Sequence, residues 1–112
     1  MSTFAGSWSG TWDVFELEVV VSTGTLDWTI SNAGQITGTV SSDTAGSGTM
    51  VGHVGAGGML MIIGHVPADE PSGGLNGIPF QGAAMIDGEG RLVVSATRAD
   101  SSRSLVASLE RN

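Results

Sequence analysis

Two histidines head the residues able to do chemistry. They stand in a near-repeat, Gly52-His53-Val54 and Gly64-His65-Val66. A turn at Ala56-Gly57-Gly58 would set position 53 opposite 61 and 49 opposite 65. The two imidazoles then share a face but stand about four residues, roughly 13 Å, apart along the ladder. That is too far for one metal ion, and no carboxylate on another strand is placed to help, so no metal site is expected. Cysteine is absent, which removes thiol catalysis, disulfides and thiolate ligands. The 11 acidic residues fall mostly in loops or on outward strand faces. None forms the buried, opposed pair that acid–base catalysis needs. No serine sits in a G-x-S-x-G elbow with an acid and histidine to follow. Gly55-Ala56-Gly57-Gly58 lacks the lysine and helix of a phosphate loop. No catalytic residue and no cofactor are expected. A barrel enzyme would need a buried polar group with a shifted pKa, and the sequence offers none.

The large aromatics are the other resource. Trp8, Trp12, Trp28 and Phe80 all fall at inward positions of predicted strands. They can simply fill the interior. Alternatively Trp12, Trp28 and Phe80 line a pocket for a small apolar or aromatic ligand, because such pockets are mostly apolar with a few polar groups.

The elements that must hold these side chains follow a two-residue rhythm. Leu26, Trp28 and Ile30 alternate with Asp27, Thr29 and Ser31; after Asn32-Ala33-Gly34, Ile36, Gly38 and Val40 alternate with Thr37, Thr39 and Ser41. Successive strand side chains point to opposite faces, so this is a hairpin with one dry and one wet face. The pattern recurs and predicts eight strands: Phe4 to Val21, then 25–31, 35–41, 49–55, 59–66, 77–86, 91–98 and 103–110. In the first strand the apolar parity switches between Trp12 and Phe15, which predicts a β-bulge near Asp13-Val14. A tight turn there is the alternative, but no Gly, Pro or Asn is present to make it. The class expected is all-β, an eight-stranded antiparallel up-and-down β-barrel, with a two-sheet β-sandwich as competitor. Tight turns lace one end; the longer connections, above all Pro67 to Asn76, form a mouth at the other.

The chain of 112 residues suits a single domain, 1–112. Its net charge is −7, with no lysine and only Arg91, Arg98, Arg103 and Arg111 as basic side chains besides the histidines. Nucleic acid needs a basic footprint and anionic membranes attract basic segments, so neither is an expected partner. The opening Met1-Ser2-Thr3-Phe4 lacks the charged and apolar regions of a secretory signal. Met59 to Ile63 is too short to span a bilayer. A cytoplasmic protein, or a mature form stripped of its leader, is expected.

Charged residues make up 13% of the chain, about half the usual share. The hairpin 49–66 is also apolar on both faces. Val51, Met59, Met61 and Ile63 lie on one; Met50, Val54, Leu60, Ile62 and Val66 lie on the other. A strand wet on one side should alternate. One face therefore packs inside, and the second meets something else. The set Met50, Val54, Leu60, Ile62 and Val66 is expected to form a subunit interface in a homo-oligomer.

Gly6-Ser7-Trp8 and Gly10-Thr11-Trp12 open the first strand, and Arg111 follows the last. The combination resembles the calycin superfamily of lipocalins, fatty-acid-binding proteins and avidins. There a G-x-W motif opens the barrel and an arginine from the last strand packs on its tryptophan. The resemblance implies that Trp8 and Arg111 close the barrel, with Gly6 and Trp8, or else Gly10 and Trp12, as the motif. It departs from secreted lipocalins in lacking a disulfide and a helix after the last strand, and from avidins in lacking tyrosine. The function expected is a non-enzymatic barrel that binds a small apolar or aromatic ligand inside, as an oligomer. The alternative is a structural or assembly subunit that uses its outer apolar faces.

Overall fold

The computed structural model describes residues 3–43, 46–65, 79–99 and 103–112. The strands are β1 (Gly6–Glu16), β2 (Val19–Ile30), β3 (Gln35–Ser42), β4 (Gly46–Val54), β5 (Met59–His65), β6 (Phe80–Ile86), β7 (Leu92–Arg98) and β8 (Arg103–Arg111). Each pairs antiparallel with the next, and β8 returns to β1, so the sheet closes as a barrel. The sandwich alternative is thereby set aside. No helix among the described residues is long and apolar enough to cross a membrane.

Alternation does the sorting. Leu26, Trp28 and Ile30 are buried while Thr25, Asp27 and Thr29 are exposed; Ile36 and Val40 repeat this on β3, and Leu105, Ala107 and Leu109 on β8. The inward side chains merge into one apolar cluster. Among the described residues the buried polar side chains are Ser22 and Ser42, whose hydroxyl oxygens lie 3.3 Å apart.

The first predicted strand needs correction. It is two strands, joined by a tight turn at Leu17-Glu18, where both residues take positive φ (50° and 74°). Such turns favour Asn and Gly, so this one left no turn signature in the sequence. Ser22-Thr23-Gly24, expected to be a turn, continues β2 instead. The parity does not switch within β1, where Trp8, Trp12 and Val14 are all buried, and the bulge expected near Asp13-Val14 lies on β2 instead. Val14 pairs with Ser22 and Phe15 with Val20, which leaves Val21 as the extra residue. Leu17, Val19 and Val21, which the expected parity switch would carry inside with Phe15, are exposed. The reason is positional: β2 runs on past its last pair with β3, Gly24–Ser42, so its first residues have no third strand to pack beneath.

Following the strand directions, the turns at 31–34, 55–58 and 87–91 share one end with the first and last described residues. Asp87 organises the last of these turns. Its carboxylate accepts hydrogen bonds from the backbone N–H of Arg91 and Glu89, both at 2.9 Å, and from Arg91 Nε at 3.1 Å. The backbone donors, Arg91 first, hold the Asp87 carboxyl below the ordinary carboxylate range. The expected mouth loop, Pro67 to Asn76, lies outside the described residues.

Candidate functional site

At the laced end, β1 and β8 meet with Trp8 opposite Arg111. Trp8 has no exposed surface, and its indole Nε1 donates to the Phe4 carbonyl at 2.9 Å. The Arg111 guanidinium lies over the ring, 4.2 Å from its centre, and donates to the Ala5 carbonyl at 2.7 Å. Gly6 makes room for this. Its φ is +137°, and a Cβ there would stand 2.6 Å from Arg111 Nη1. Of the two Gly-x-Trp pairs, Gly6 and Trp8 are the ones that meet Arg111. Gly10 and Trp12 lie farther along β1, opposite Leu109 and Ala107 rather than Arg111.

The aromatics expected to line a pocket are all interior: Trp12 is 1%, Trp28 2% and Phe80 1% exposed. A ring lining an open cavity would keep surface accessible to a water-sized sphere; these rings keep almost none. Trp12 Nε1 donates to the Thr25 carbonyl at 3.1 Å. Trp28 Nε1 differs: it is buried and has no acceptor among the described residues. An unpaired buried donor costs roughly 1–3 kcal/mol.

The two-faced hairpin is β4–β5, and the structure exchanges its faces. Met50, Val54, Leu60 and Ile62, expected at an interface, are buried inside the barrel, and Val66 lies outside the described residues. The outward set is Val51, Met59, Met61 and the half-buried Ile63. Both faces are apolar, so composition could not choose between them. Register chose: Met50 stands opposite Gly38 and Gly64, the inward positions of its neighbours. The outer apolar surface runs on across the sheet. Val51 pairs with Ile63, Met59 with Ala83, and Met85 with Val93. A groove of about 530 Å³ crosses it, lined by His53, Met59, Leu60, Met61, Gln81 and Gly82.

This face is electrically plain. β4, β5 and β6 contain no Asp, Glu, Lys or Arg. Asp13, Glu16, Asp27, Arg103, Glu110 and Arg111 all stand on β1, β2 and β8. There Arg103 pairs with Glu16 at 3.2 Å, and Ser9 bonds to Asp27. The histidines keep the expected register, His53 opposite Met61 and His65 opposite Thr49. Among the described residues no three His, Cys, Asp or Glu side chains gather as a metal cage. The sequence reading missed the role of Gln81, whose outward amide donates to Met61 Sδ at 3.9 Å; its alternation with Phe80 was the available signal.

No family model matches this chain, and no curated protein matches it in sequence. The closed eight-stranded barrel with its tryptophan–arginine pair is compatible with a calycin-like barrel.

Proposed function

We propose that this protein is a non-enzymatic assembly barrel, whose uncharged outer face over β4, β5 and β6 buries against a second copy of the same chain. One observation carries the reading. Met59 (80% exposed), Met85, Met61 and Val51 spread apolar surface over three adjacent strands that hold no charge. Isolated exposed hydrophobes are ordinary, but a continuous patch marks a docking surface. The occupant follows from charge. Two chains of net charge −7 repel each other, and only a face without carboxylates lets them meet while their acidic sides stay apart. A two-fold pair that uses the same patch on both copies satisfies this. Methionine suits such a surface, because its flexible thioether adapts to a partner.

The test is light scattering across a dilution series. The chain is expected to run as a dimer at tens of micromolar. Val51→Glu with Met85→Glu should leave a monomer with an unchanged far-ultraviolet spectrum. A parent chain that stays monomeric at that concentration overturns the proposal.

The interior-ligand reading keeps one supporting observation, the unpartnered Nε1 of Trp28. A small apolar molecule carrying an acceptor atom would satisfy it, if the three indoles yielded space. That reading predicts saturable quenching of tryptophan fluorescence by an anilinonaphthalene probe. With the rings packed as described, the expected outcome is no saturable quenching.

A further inference from the structure

We propose that the groove over β5 and β6 is a soft-metal site, which holds a thiophilic monovalent cation, Cu(I) or its redox-inert analogue Ag(I), between the His53 imidazole and the thioethers of Met61 and Met59. All three side chains line the one groove. The register explains why. His53 stands directly opposite Met61, and such cross-strand pairs hold their Cβ atoms about 4.5–5.5 Å apart. Met59 is two residues before Met61 and so shares its face.

The donor set selects the ion. Thioethers are neutral and polarisable, and favour Cu(I) over hard divalent ions. No carboxylate lines the groove, so Ca²⁺ and Mg²⁺ lack the oxygen ligands they require. Two further contacts fit a ligating role. His53 Nε2 lies 3.2 Å from the Ala33 carbonyl. A carbonyl only accepts, so Nε2 carries a proton, and in the neutral ring Nδ1 is the nitrogen with the free lone pair. Metal-binding histidines commonly have their other ring N–H anchored in this way. The Gln81 amide, by donating to Met61 Sδ, tethers that sulfur at the groove. The negative charge of the whole chain draws cations toward its surface. The site goes beyond the self-association reading, because all three donors come from one chain.

The test is a titration with silver nitrate in chloride-free buffer, followed by methyl NMR of the five methionines. The methyls of Met59 and Met61 and the ring of His53 are expected to shift and saturate at one equivalent. Met50, in the core, and Met85, outside the groove, should stay in place. Met59→Leu with Met61→Leu conserves volume on an exposed face and should weaken binding at least tenfold, while an unmoved Met50 methyl shows the fold intact. Equal shifts at Met85, no saturation at one equivalent, or a loss below tenfold in the double variant would overturn the site. Light scattering on the same samples separates the two proposals. Self-association would cover Met59 and Met61, so silver is also titrated into the monomeric Val51→Glu, Met85→Glu variant: a monomer that ignores silver defeats only the metal site, and a parent chain that is monomeric yet binds silver defeats only self-association.

Discussion

Gly24→Val yields a chain that no longer melts as a stable, cooperative barrel. Gly24 sits on the inward side of β2, opposite Trp12 on one flank and Ser42 on the other. A Cβ at this position would lie 1.8 Å from the Ser41 carbonyl oxygen and 2.8 Å from Trp12 Cζ2. The first obstacle is backbone of the neighbouring strand. It cannot move without parting β2 from β3, and strand glycines mark such close approaches. The second is a ring with nowhere to go, since Trp12 is fully enclosed. Overpacking a core costs typically 1–3 kcal/mol and sometimes more; with ladder damage added, the expected loss is about 3 kcal/mol or above. A domain of this kind holds only about 5–15 kcal/mol in all. Urea unfolding followed by tryptophan fluorescence and near-ultraviolet circular dichroism measures the loss. Gly57→Ala is the control. A Cβ there meets nothing within 4 Å, and the change should stay within about 0.5 kcal/mol. A Gly24→Val midpoint close to the parent's would contradict the account.

Trp8→Ala should cost about 3–5 kcal/mol, the range for emptying a buried large aromatic site. The side chain is wholly enclosed, and its Nε1 bond to the Phe4 carbonyl is lost with it. Arg111→Ala should cost far less. Its stacking on the indole is exposed, and such cation–π contacts contribute about 0.5–1 kcal/mol. The two effects should not add. In Trp8→Ala the guanidinium has no ring to lie on, so the second substitution loses less than it does alone. A double-mutant cycle gives the coupling directly, expected at about 0.5–1 kcal/mol. Zero coupling would mean that Trp8 serves only as core filler and that Arg111 is held by the Ala5 carbonyl alone.

Much of this arrangement was legible in the residues. Strict alternation at 26–30 and 36–40 allows only one face to be dry, so Trp28 and Ile36 point inward whatever surrounds them. The turn signals at Asn32-Ala33-Gly34 and Asp87-Gly88-Glu89-Gly90 act locally, through positive φ at Gly34 and Gly90. The pairing of Trp8 with Arg111 was legible because one motif opens the first strand and the other residue ends the last, and the even strand count brings those ends together. The turn at Leu17-Glu18 was not, because its residues are poor turn formers and the turn exists only because β1 and β2 pair around it.

Periodicity and turn chemistry, which are properties of neighbouring residues, determined the strand class and most inward positions, while the count of eight came out because the unsignalled turn at Leu17-Glu18 replaces the one expected at Ser22-Thr23-Gly24. Closure decided the rest. On β4–β5 both faces are apolar, so burial energy alone is nearly indifferent to which one turns inside. The inward choice came from register against the flanking strands, β3 just before it in the chain and β6 beyond a longer connection. That choice put Met59 and Met61 outside with His53 and sealed Met50 within. Packing density is likewise a property of the whole enclosure. Four large aromatics can line a space or occupy it, and only the closed circumference of the barrel decides which.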